Sequence, residues 1–174
     1  MFAWDSRKLC GRNFQGPSVF FDTQLETMSN MSEKFMLELV GFGIDHLRFD
    51  SSTFAHLPAE FQVEDIGSVV PGMRGKGIRL AGLLELANLK ANAGYVTFVS
   101  QDGQYSTSLT LAQARNFGIL LYDVDGEPLP FEKGGPFRLV TPGLGDLCAN
   151  VKNVRQIKIS AGPGKDMRPQ DRSC

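Results

Sequence analysis

The chain has 174 residues, 18 Lys+Arg against 19 Asp+Glu, a net charge of -1 and 42% hydrophobic residues. That size suits one domain carrying an arm, and the composition excludes collagen-like, coiled-coil and wholly disordered chains. Balanced charge excludes a protein whose main task is coating nucleic acid, which needs a basic face, and no apolar run reaches the roughly 18–20 residues of a membrane span.

Three zones follow one another: a polar, Phe-containing arm over 1–34, a stretch dense in apolar periodicity over 35–160, and a Gly/Pro/charged tail over 161–174 with nothing to bury. In the arm, Thr23 and Glu26 are spaced as a capping box and predict a short helix over 24–33. FMLELVGFG reads as a strand with Phe35, Leu37 and Leu39 on one side. Ser51 or Ser52 is the expected cap of a short helix in STFAHL, stopped by Pro58. EFQVEDI alternates, which places Phe61 and Val63 on one face and Gln62 and Glu64 on the other. RLAGLLELANLK is the clearest helix, with Leu80, Leu83, Leu84 and Ala87 on the i, i+3, i+4, i+7 stripe. Strand-like runs then follow: GYVTFVS, QYSTSLT, GILLYDV, PFRLVT and VRQIKIS, separated by Gly-containing turns, with Thr110 capping a short helix in LAQARN. Strands dominate without a βαβα rhythm, so the expected fold is α+β, with mixed, mainly antiparallel β-sheets and a few short helices.

Little of the usual catalytic vocabulary is present. GKGIRLAG and GLGDLCAN each begin G-x-G, yet neither completes a dinucleotide fingerprint, and turn glycines account for both. His46 and His56 have no metal-ligand neighbours at suitable spacing, there is no GxSxG motif, and Glu60, Glu64 and Asp65 read as a solvated strand edge. Cys10, Cys148 and Cys174 are too few and too scattered for a disulfide framework, which points to a reducing, cytoplasmic setting. Two cations stand out. Arg138 lies inside the apolar run PFRLV, and Lys152 follows the Gly-rich loop PGLG. A charge in such a run must reach solvent or an anion, so the pair around one glycine loop suggests an anion-binding concavity.

The order of motifs over residues 36–159 resembles the molybdopterin-binding domain of the sulfite oxidase family, including the bacterial protein-methionine-sulfoxide reductase branch. The matching blocks are LELVGFGIDHLRFDSSTFAHLP, GIRLAGLLELANL, YVTFVSQDGQYSTSLTLAQA, ILLYDVDGEPLPFEKGGPFRLVTPGL and VKNVRQIKI. The resemblance implies that family's α+β fold and a molybdenum cofactor held through its pterin. It places Arg138 at the arginine holding the pterin, Lys152 with the backbone of Asn150 and Val151 at the cofactor's phosphate end, Ser100 at a small hydroxyl beside the pterin, and Lys133 at a cofactor contact. Gln62 stands where the family carries the cysteine whose thiolate binds molybdenum, and the family's basic residue in the last loop is replaced around Cys148-Ala149. An amide is neutral and hard, whereas that metal uses a soft, anionic thiolate. The resemblance therefore implies a small, single-domain relative with a partial pterin and phosphate cradle and weak or no oxo-transfer. The other reading is a non-catalytic ligand-binding or protein-interaction module on the same fold. The partner expected on the first reading is a small anionic or pterin-type ligand, with no nucleic acid and no membrane.

Overall fold

The computed structural model describes residues 36–42, 44, 46–89 and 91–169. The expected arm over 1–34 with its helix at 24–33, and Cys10 and Cys174, lie outside the described residues.

Among the described residues, hydrophobic alternation becomes ten strands with three short helices between them. In chain order these are β1 (Leu37–Gly41), β2 (Leu47–Phe49), α1 (Ser51–Ala55), β3 (Gln62–Val63), β4 (Lys76–Arg79), α2 (Leu80–Leu86), β5 (Tyr95–Ser100), β6 (Ser106–Thr110), α3 (Leu111–Phe117), β7 (Ile119–Val124), β8 (Glu127–Pro128), β9 (Arg138–Val140) and β10 (Val154–Ser160). One sheet has the order β2-β1-β10-β5-β6, in which only the β1–β10 pair is parallel. The other runs β3-β4-β7-β8, with β9 also paired to β7, and is antiparallel throughout. This is the mixed, mainly antiparallel α+β architecture expected from the sequence.

The main core joins both sheets. Leu37 and Leu39 of β1, Val96 and Phe98 of β5 and Ile157 of β10 meet Ile78, Leu120 and Leu139 of the second sheet. The predicted stripe of α2 enters the same core, with Leu80, Leu83 and Leu84 fully buried. At Gly82 a Cβ would lie 2.2 Å from the ring of Phe61, so only glycine lets that ring seat against the helix. A second, smaller apolar cluster (Val63, Ile66, Ile119, Leu121, Val124, Leu129 and Val140) holds the other set of residues of β3, β7 and β9.

Local details depart from expectation for identifiable reasons. The cap of α1 is Asp50, not Ser51 or Ser52: its carboxylate accepts from the Thr53 amide at 2.7 Å and from the Ser52 and Thr53 hydroxyls. Only Gln62 and Val63 of EFQVEDI form a strand, because one-turn 3-10 helices occupy Ala59–Phe61 and Ile66–Ser68. Phe61 therefore does not share a side with Val63; it packs on the main core while Val63 joins the second cluster. Thr110 does cap α3, in a reciprocal capping box with Gln113.

The residues after β10 are anchored as far as they are described. The Gly164 amide donates to Ser108 Oγ, Ser106 Oγ donates to the Lys165 carbonyl, and the Met167 amide donates to the Ser106 carbonyl. Arg168 bridges Asp146, at 2.9 Å, and Asp166. The expectation that this segment has nothing to bury overlooked backbone and polar groups as docking elements. Among the described residues no helix is long and apolar enough to cross a membrane.

Candidate functional site

The register of the second sheet sorts its side chains into two rows. Gln62 pairs with Ile78, Ile78 with Leu120 and Leu120 with Leu139, so these four share one face. Val63, Gly77, Leu121 and Arg138 form the adjacent row and share the opposite face. Successive residues of a strand point to opposite sides. Gln62 and Arg138 are therefore on opposite faces of the sheet, which corrects the placing of Gln62 beside the other site residues.

The hydrogen bonds of Gln62 explain its position. Its Nε2 donates to the carbonyls of Phe54, at 2.6 Å, and Leu57, at 3.2 Å, and its Oε1 accepts from the Tyr122 hydroxyl at 3.1 Å. Burial pushes the Tyr122 phenol above its ordinary value, which keeps it a donor. The amide is a strut that ties α1 and its exit to β7. The strand residue that faces the Arg138 side is Val63, which is buried against Ile66, Leu121 and their neighbours.

On that side lies a cavity of about 330 Å³ lined by Gly72, Met73, Arg74, Leu121, Val124, Asp125, Leu129, Lys133 and Arg138. Met73, Leu121, Val124 and Leu129 supply its apolar lining, and three cations and the carboxylate of Asp125 its charged lining. Arg138 Nη1 donates to the Lys133 carbonyl at 3.1 Å, while its Nε is buried with no hydrogen-bond partner among the described residues. A buried donor left unmade is costly and marks a place where a ligand atom belongs. Lys152 joins this group across Gly134. A Cβ at Gly134 would lie 3.0 Å from both Arg138 Cδ and Lys152 Cγ, and the residue's φ of +95° is a left-handed conformation suited to glycine. No salt bridge among the described residues neutralises Arg74, Lys133, Arg138 or Lys152.

Thus Lys133, Arg138 and Lys152 come together, and Arg74 joins them although the sequence reading passed over it. The signal for Arg74 was weak: one arginine in the turn-rich PGMRGKG, with nothing to show that its loop folds over β7. Asn153 was also missed; its side chain ties the Lys133 turn to the segment carrying Lys152.

The remaining expected site residues are engaged elsewhere. Ser100 closes the β5–β6 turn: its hydroxyl donates to Asp102 and accepts from the Tyr105 amide, and it does not line the cavity. The Asn150 amide donates to the Leu147 carbonyl, and the Val151 amide to the Leu139 carbonyl, so neither backbone N–H is spare for a phosphate. The Asn150 side chain accepts from the amide and hydroxyl of Thr141. Cys148 is buried and disulfide-bonded, hence no thiolate. Among the described residues no three His, Cys, Asp or Glu side chains are grouped to hold a metal ion.

Comparison with known proteins places this geometry. A family model described as oxidoreductase molybdopterin binding domain matches residues 58–167. Sulfite oxidase of Arabidopsis thaliana is 37% identical over 101 residues, covering 48% of this chain and 25% of that protein. NADPH nitrate reductase of Fusarium oxysporum is 34% identical over 95 residues, covering 50% of this chain and 10% of that protein. The chain thus spans a quarter or less of the length of these two relatives. The sulfane dehydrogenase SoxCD of Paracoccus pantotrophus superposes with a TM-score of 0.61 at 20% identity, over 79% of this chain and 41% of that one, and shares the fold. The matched span covers both sheets' site-bearing strands, from β3 to β10, and this chain belongs to the oxidoreductase molybdopterin-binding domain family.

Proposed function

We propose that the domain binds a phosphate-bearing pterin or similar small anion in the Arg74–Lys133–Arg138–Lys152 cleft and has weak or no oxo-transfer activity. The observation that carries this reading is the buried, unpartnered Nε of Arg138 beside a cavity whose cations form no salt bridge among the described residues, although Asp125 shares the lining. Cations in a recess attract a multiply charged phosphate, and an arginine fork adds direction to the attraction.

The family's cofactor fits this site in one part only. Its anionic pterin end suits Arg74, Lys133 and Arg138, which line the cavity with the apolar Met73, Leu121, Val124 and Leu129, while Lys152 stands beside Arg138 across Gly134. Its metal end does not fit, because the strand residue on that face is Val63 and a methyl-ended side chain donates no electron pair to a metal. When bound with its metal, the cofactor supplies oxygen-atom transfer in enzymes; here the chain's own residues bind and orient an anion and exclude water from its apolar side. The partner that this reading calls for is a small anionic or pterin-type ligand rather than a nucleic acid or a membrane. A non-catalytic ligand-binding role is the limiting case of this reading, in which activity is zero and binding remains.

Metal analysis and pterin fluorescence on protein purified from a molybdenum-replete host test it. The expected result is co-purifying pterin, or uptake of added pterin phosphate, with molybdenum well below one per chain. Stoichiometric molybdenum with oxo-transfer turnover overturns the weak-activity part, and failure to take up any pterin or phosphate overturns the whole. Val63→Cys sharpens the result, since a thiol on the Arg138 face should raise molybdenum retention whereas Gln62→Cys should not.

A further inference from the structure

We propose that Asn153 sets which anions the cleft accepts, by pinning the Lys133 turn to the Lys152 segment so that Lys133, Arg138 and Lys152 converge on one multiply charged, diphosphate-type group. This inference rests on the cleft reading above and adds to it a positioning residue and a ligand class.

Asn153 lies immediately after Lys152, with φ +52°, a left-handed conformation that asparagine tolerates better than most residues. Three of its donors reach the same short turn. Its amide donates to the Gly134 carbonyl at 2.6 Å, and its Nδ2 donates to the carbonyls of Phe131, at 3.1 Å, and Gly135, at 2.5 Å. Its own carbonyl accepts from the Gln101 amide at 2.7 Å, which fixes it to the end of β5. The turn so gripped carries Lys133, whose carbonyl receives Arg138 Nη1. Gly134, inside that turn, lies against both Arg138 and Lys152.

Three cations from separate stretches of chain therefore share one anchor. Held together they repel one another, and the anchor keeps that arrangement before any ligand arrives. A ligand with several anionic oxygens gains from all three at once, and pre-organisation spares it the cost of gathering them. A single small anion reaches fewer of them and gains less from the anchor. The expected signature of Asn153 is thus a ratio of two affinities rather than an overall loss.

Calorimetric titration of the wild-type chain, Asn153→Gly and Asn153→Asp with inorganic pyrophosphate and with orthophosphate provides the test, with amide hydrogen exchange at Gly134 as a ligand-free readout. Glycine keeps the left-handed backbone and its hydrogen bonds; aspartate keeps the shape but turns acceptors toward the Phe131 and Gly135 carbonyls. Wild type should prefer pyrophosphate. Both variants should lose about tenfold in pyrophosphate affinity with less than about threefold change for orthophosphate, a difference of order 1 kcal/mol in selectivity, and the Gly134 amide should exchange faster. If wild type binds neither anion, the cleft reading itself falls. If wild type binds and both variants keep its selectivity ratio, the role given to Asn153 falls while the cleft stands. A variant that does not fold is replaced in this comparison by the other.

Discussion

The two faces of the β3-β4-β7-β9 sheet are made by neighbouring residues, yet they do opposite things. On one face Gln62, Ile78, Leu120 and Leu139 close against the core, and the polar member of the row has its hydrogen bonds satisfied inside the fold. On the other face Val63, Gly77 and Leu121 lead to Arg138, whose Nε is buried and unpartnered. The first face is built into the main core, whereas the second combines a smaller apolar cluster with the cation-lined cavity. A shift of one residue along a strand changes the role of a side chain completely.

Substitutions on the two faces should separate stability from anion binding. The largest effect is expected for Gln62→Ala, which strands the Leu57 carbonyl and the Tyr122 hydroxyl and removes one of the bonds to the Phe54 carbonyl; it should cost about 2–3 kcal/mol in denaturant unfolding and leave pyrophosphate affinity unchanged. Loss of anion affinity in that variant would break the division between the faces. Arg138→Ala should do the converse, weakening pyrophosphate binding by about 10–100-fold in calorimetry, as expected for a charged hydrogen-bond donor, with little loss of stability.

Gly134→Ala tests the contact between the cations. The added methyl meets Arg138 and Lys152 and strains a left-handed residue, so a cost of about 1–2 kcal/mol is expected together with weaker pyrophosphate binding. The smallest effect lies outside both faces. Burial pushes the Asp166 carboxyl up, but hydrogen bonds and charge from Arg168 outweigh this and hold it below its ordinary 3.8. A depressed carboxylate contributes stability above its unfolded value and loses it as pH falls through the folded one. Protection of the Met167 amide should therefore decline only below about pH 3.8, while the rest of the domain and the cleft respond little.

Much of the fold was readable because its signals are local and repeated. The stripe Leu80, Leu83, Leu84 and Ala87, the Thr110 cap and the five later strands needed only periodicity and turn chemistry. The cation cluster of the candidate site was readable where a charge stood in an apolar run, as at Arg138, or followed a glycine loop, as at Lys152. It was misread at Gln62 because the resemblance aligned that residue with a metal-side position, whereas alternation, which put it opposite Val63, already turned it away from the Arg138 face. Arg74 and Asn153 act through loops from distant parts of the chain, and no local pattern announces a contact of that kind. The backbone of Asn150 and Val151 was misassigned for a related reason, since whether an N–H is spare depends on a partner strand.

The segment after β10 has a consequence for association. β6 is an outer strand of its sheet, and an outer strand offers a row of open amides and carbonyls to any passing chain. Here Met167 and Arg168 occupy the carbonyls of Ser106 and Ser108, and Asp166 receives the Ser108 amide. The strap thereby blocks edge-to-edge growth. Cutting the chain after Ser160 would leave both sheets in place and uncover a sticky border, and such a fragment would fail by self-assembly sooner than by unfolding.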